Sequence, residues 1–171
     1  MKHLVAALDN ALRAGNHYGA LAIALALPDI CGWVEDPTQY SRARCVAWYK
    51  KYLQSKYTRS ATRLVAEHVF LGGEDFYALR CAFLHEGRDE IADQKARQVL
   101  EKFEFVVPPK GWEIHRNQTN NVLQLQVDIF CRDIAEGVSR FLSDIEANPD
   151  AMARMQQLLV VHDINGTPLL G

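Results

Sequence analysis

FYALRCAFLHEG, residues 76–87, decides how the rest of this chain is read. Phe76, Leu79 and Phe83 recur at helical spacing and form an apolar stripe. Ahead of them Gly73 is followed by Glu74 and Asp75, acids that suit the positive end of a helix dipole. Behind them Gly87 stands where a helix needs a left-handed residue to stop. The pattern therefore predicts one sharply bounded helix, and that helix carries Arg80 near its middle and His85 in its last turn.

Outward from this helix the chain continues mostly in the same period. Residues 2–14 and 17–30 are predicted helices, the second halting at Pro28 or soon after. Ser41 caps a third, reaching about residue 55, with Cys45, Trp48, Tyr49, Tyr52 and Leu53 on one arc and Arg44 and Lys51 opposite. Downstream, FEFVV, WEIH and the alternating VLQLQV predict a small antiparallel β meander or hairpin at about 103–127. Helical spacing returns from Ile129 to about Glu146, Asn148 and Pro149 break it, and a short helix through Met155 and Leu158 follows. The expected architecture is mainly α: one helical domain over 1–160 with a β insertion, then a tail over 161–171 ending NGTPLLG.

Composition sets bounds on function. The chain has 171 residues, 49% hydrophobic and 23% charged, enough for one core without disulfide or metal staples. Cys31, Cys45, Cys81 and Cys131 lack metal-ligand spacing and are expected as free thiols, and the six histidines form no ligand pair. No metal and no cofactor are expected. The longest apolar run, ALAIALAL, is too short to span a bilayer, and Asp9, Arg13 and His17 interrupt a signal-peptide core, so no membrane partner and a cytoplasmic location are expected.

Net charge is only −2, yet it is unevenly spread. Between Ser41 and Ala66 there is no acid, while seven of the 19 Lys and Arg residues lie there. Arg44, Lys51 and Lys56 are the cations in this segment predicted to face solvent and attract RNA phosphates.

An Arg followed four to six residues later by His is a common accident, expected about once in a chain of this composition. Two occur, Arg63 with His68 and Arg80 with His85. Only the second ends a well-bounded helix, where the dipole favours a charged imidazole. On an ideal helix five residues place His85 about 140° around from Arg80, so the two converge only where the helix end unwinds. His68 is expected to be a partly packed helical residue.

The stretch FYALRCAFLHEG resembles the signature helix of the HEPN superfamily, helical-bundle domains of toxin, antiphage-defence and RNA-processing proteins. The resemblance implies a HEPN-like bundle that homodimerises around this helix, with Tyr77 and Leu84 extending its apolar surface. It implies metal-independent endoribonuclease activity, with Arg80 and His85 as the catalytic pair. RNA would be the substrate, and a cognate antitoxin or other defence-system protein a partner. In active relatives the residue after the Arg is often Asn, Asp or His, where this chain has Cys81. The alternative implied by the same resemblance is a non-catalytic HEPN-like module that binds a nucleotide, RNA or a partner protein.

Overall fold

In the computed structural model, residues 1–94 and 97–161 are described, and the predicted tail beyond residue 161 lies outside them. About 55% of the chain is helical. The helices among the described residues are α1 (Lys2–Arg13), α2 (His17–Glu35), α3 (Ser41–Tyr52), α4 (Gly73–Cys81), α5 (Val127–Ile145) and α6 (Pro149–Met155). A 3-10 turn, Gln54–Tyr57, follows α3, and α4 runs on into a π turn, Ala82–Glu86. The strands are β1 (Thr58–Arg59), β2 (His68–Val69), β3 (Lys102–Val106), β4 (Asn117–Thr119) and β5 (Val122–Gln126).

The centre of the molecule is α2, which packs against α1, α3, α5 and α6. By length and composition alone it would reach across a membrane, and half of that apolar window is buried by the surrounding helices. It does not stop at Pro28 as its sequence predicts. Pro28 removes one backbone donor, but its ring is buried, and the continuing turns bring Cys31, Gly32 and Val34 into the core. Burial of that extra apolar surface offsets the local cost of the proline. A Cβ on Gly32 would fall 2.9 Å from Arg44 Cβ, so α2 and α3 cross closely at a point that only glycine permits.

The predicted arc of α3 is the buried one: Cys45, Trp48, Tyr49, Tyr52 and Leu53 all lie in the core. Trp48 and Tyr52 pack at 5.1 Å, and Tyr49 stacks on Phe76 of α4 at 4.7 Å. Phe76 and Leu79 are fully buried, whereas Phe83 is only half-buried, its ring edge-on to Phe105. In α5 the spacing of Phe130, Ile134, Val138, Phe141 and Ile145 delivers all five side chains to the core.

The predicted antiparallel meander is corrected. Strand order is β3-β5-β4, with β3 parallel to β5 and β4 antiparallel to it. After β3 the chain meets Pro108 and Pro109, which lack the N–H groups a returning hairpin strand would need. It therefore leaves the sheet, and WEIH, expected as a strand, forms part of this connection. The second strand is Asn117–Thr119, and the turn at Asn120, with φ 54°, sends β5 between the other two. The alternation in VLQLQ does place Leu123 and Leu125 in the core. A second, unpredicted hairpin pairs β1 with β2, Thr58 opposite Val69 and Arg59 opposite His68. His68 is thus a strand residue rather than a helical one.

Candidate functional site

The helix that carries Arg80 is fixed at both ends. At its start Asp75, only 3% exposed, accepts the backbone N–H groups of Gln98 at 2.6 Å, Val99 at 3.2 Å and Leu100 at 3.4 Å. One buried carboxylate thereby ties the segment before β3 to α4. At its end Gly87 has φ 67°; its N–H reaches Phe83 O, and the N–H of Arg88 reaches Ala82 O at 3.0 Å. Gly87 is open to solvent, so backbone conformation rather than space requires glycine there.

Between these anchors the helix changes pitch. Ala82–Glu86 form a π turn, in which i→i+5 bonding brings residues five apart toward one side. The turn begins two residues after Arg80, so it closes part of the 140° that an ideal α-helix places between Arg80 and His85. His85 is exposed on this turn.

Arg80 is held from α2. Its side chain is only 13% exposed, and one guanidinium nitrogen donates to Asp29 Oδ2 at 3.0 Å. The other oxygen of Asp29 receives Arg44 Nε at 2.7 Å. Two guanidiniums share one carboxylate, which leaves a net positive cluster where α2, α3 and α4 meet. Arg80 Nε is buried with no partner among the described residues. Beside the cluster, burial pushes the Cys45 thiol up to about 12, with the Arg80 charge acting against the rise. Cys31, Cys45, Cys81 and Cys131 are all free, and Cys81 is the one among them that is half-buried rather than buried.

The three cations predicted to bind RNA all face carboxylates of their own chain. Arg44 joins Asp29 and also donates to Gln39 O at 3.3 Å. Lys51 lies 3.1 Å from Glu35 and 3.4 Å from Asp144, with its ammonium 4.9 Å from the Tyr52 ring centre. Its pKa is pushed above the ordinary lysine range, first by the hydrogen bond with Tyr52 and then by that with Glu35. Lys56 bridges Asp133 at 2.7 Å and Glu136 at 2.5 Å. Tyr77 and Leu84, expected to extend an apolar surface, are partly buried and packed against the core.

The second Arg–His pair is not brought together on a helix. Arg63 lies in the exposed tip between β1 and β2, and His68 meets Gln118 Oε1 at 2.9 Å.

A third histidine environment has no local signal in the sequence. The His115 side chain is 3% exposed, and its Nδ1 accepts the backbone N–H of Gln126 at 3.2 Å. That bond leaves the proton on Nε2, which stands 3.8 Å from Asp133 Oδ2, beyond hydrogen-bond range. Asp133 meanwhile receives the Tyr57 hydroxyl at 3.0 Å and Lys56. Burial pushes the His115 pKa below its ordinary value, against the pull of Asp133. With its lone pair committed to Gln126, this imidazole fastens the connection before β4 to the start of α5 and has no free site for base catalysis.

An open groove of about 510 Å³ lies beside the π turn, lined by His17, Tyr18, Leu21, Phe83, Arg88 and Phe105 among others. Neither Arg80 nor His85 lines it. Among the described residues no three His, Cys, Asp or Glu side chains are grouped to hold a metal ion. No family description, curated protein or solved structure matches this chain.

Proposed function

We propose that this chain is a metal-independent endoribonuclease of HEPN type that cleaves RNA through attack of the 2′-OH, in the manner of a toxin or antiphage-defence effector. The observation that carries the reading is the π turn at Ala82–Glu86. It narrows the angle between Arg80 and His85 and so supports their acting on one phosphate.

In this chemistry RNA brings its own nucleophile. His85, exposed on the π turn, takes the 2′-OH proton or delivers one to the leaving 5′-oxygen. Arg80, held by Asp29, offers its remaining N–H groups to the non-bridging oxygens as charge builds on the phosphorane. Products are a 2′,3′-cyclic phosphate and a 5′-OH. One histidine performs one proton transfer, and a second protomer in a homodimer supplies the other.

A second reading, a non-catalytic HEPN-like module, is favoured by one specific observation: Arg80 is mostly buried and already shares Asp29 with Arg44. One experiment separates them. Purified protein is incubated with mixed RNAs in EDTA beside His85→Ala. Cleavage to cyclic-phosphate ends that disappears in the variant supports the ribonuclease; intact RNA, with and without added divalent metal, leaves the binding module.

A further inference from the structure

The acid-free segment does hold cations without carboxylate partners among the described residues, and they are not those its helical pattern singles out. Arg59 and Arg63 lie on the β1–β2 hairpin, whose residues 59–67 are exposed throughout. Arg116 is drawn to the base of the same hairpin, donating to Lys56 O at 2.7 Å. Lys50 lines a small cleft with Val69 and Phe70. The nearby acids are largely taken: Glu74 pairs with Arg42, and Asp133 and Glu136 with Lys56. Glu67 on the hairpin and Glu113 beside Arg116 are the remaining ones close by.

The hairpin tip is built rather than loose. Thr62 N–H donates to Val65 O at 2.8 Å, and Val65 N–H to Thr62 Oγ1 at 3.2 Å. This turn presents Leu64 at 95% exposure, an apolar side chain in water directly after Arg63. Below it the Arg59 guanidinium sits 5.9 Å from the Phe70 ring centre, and His68 packs edge-on to the same ring at 4.6 Å. Unneutralised cations meet phosphates, and rings with an apolar tip meet unstacked bases.

We propose that the β1–β2 hairpin is the surface on which this protein holds single-stranded RNA, with Arg59 and Arg63 on phosphates and Leu64 against a base. The proposal rests on the RNA-directed reading above and deepens it. The hairpin leads into the start of α4 at Gly73, from which Arg80 lies about 10 Å and His85 about 18 Å along the helix. RNA gripped by the hairpin would therefore reach the pair only if several nucleotides long.

Binding is measured by fluorescence anisotropy with a labelled 2′-O-methyl RNA of about 12 nucleotides, which lacks the nucleophile and survives any cleavage activity. Arg59→Ala with Arg63→Ala is expected to weaken binding about tenfold at low salt and to lower the salt slope by about 1.4, the loss of two phosphate contacts on a single strand. Leu64→Ser is expected to weaken binding with the slope unchanged. Lys51→Ala, whose cation is internally paired, is expected to bind as wild type. These positions are exposed, and unchanged thermal midpoints establish that each variant folds. Unchanged affinity in the double arginine variant overturns the proposal, and it is the outcome expected if the hairpin serves a protein partner instead. Wild-type protein that fails to bind the RNA also overturns it. Hairpin-dependent binding without cleavage of ordinary RNA sustains this inference and removes the ribonuclease reading; cleavage indifferent to the hairpin does the reverse.

Discussion

Asp29, one residue beyond the proline inside α2, reaches Arg80 on α4 at 3.0 Å and so joins two helices that are 51 positions apart in the chain. Its second oxygen holds Arg44 at 2.7 Å. Removing the carboxylate strands two mostly buried guanidiniums beside each other. Asp29→Ala is expected to cost about 3 kcal/mol, at the lower end for breaking a buried pair. Urea denaturation of Asp29→Ala, Arg80→Ala and the double variant reads it. If the double variant is no more stable than the sum of the single losses, the ion pair is not coupled as described.

Phe76 and Phe83 test which face of α4 carries the core. Phe76 is fully buried against Tyr49 and Phe130, so Phe76→Ala is expected to cost about 3 to 5 kcal/mol. Phe83 is only partly buried and meets Phe105 at its edge, so Phe83→Ala is expected to cost about 1 to 2 kcal/mol, less than full burial implies. Equal denaturation midpoints for the two variants would contradict this packing.

His115 gives the protein a pH dependence of definite sign. Its folded pKa is depressed, chiefly by burial, while the unfolded chain protonates near 6.5. As pH falls through about 6.5 the unfolded state takes up the proton first, so stability is lost progressively until the lower folded pKa is passed. Above about 6.5 the contribution is fully present. His115→Gln removes the titration, so its loss of stability between pH 7 and pH 5.5 is expected to be shallower than that of wild type. Parallel stability profiles would mean that the imidazole protonates as readily in the fold as outside it.

The parts legible in the sequence are those with local physical causes. The apolar spacing of α5 and the Gly-bounded ends of α4 locate those helices within one or two residues, because burial and capping act over a few positions. VLQLQV announces β5, but nothing local to it says that β3 lies parallel beside it. The β1–β2 hairpin has two-residue strands and an exposed tip, so no alternation marks it. Charge is the least legible property. Arg44, Lys51 and Lys56 look free when read along α3 and the turn after it, yet their carboxylates come from far along the chain, from Asp29 for Arg44 to Asp144 for Lys51. The same long reach hides Asp29 and the His115 environment.

Arg80→Lys is the most discriminating single change for the proposed chemistry. Lysine keeps the positive charge beside Asp29, so the variant is expected to fold with a midpoint near that of wild type. It loses the planar fork, which in the proposed chemistry would hold Asp29 with one edge and two phosphate oxygens with another. Activity on RNA is therefore expected to fall at least about a hundredfold, as it should in His85→Ala, the scale of losing a positioned acid or base. DNA of the same sequence should remain intact, since it lacks the 2′-OH. Arg63→Ala alone, which leaves the reacting pair untouched, should weaken substrate capture without reducing cleavage at saturating RNA, so its effect falls on KM rather than kcat. Gel analysis of cyclic-phosphate products across these variants checks each expectation. A folded Arg80→Lys protein cutting RNA at the wild-type rate would show that Arg80 serves only to join α4 to α2.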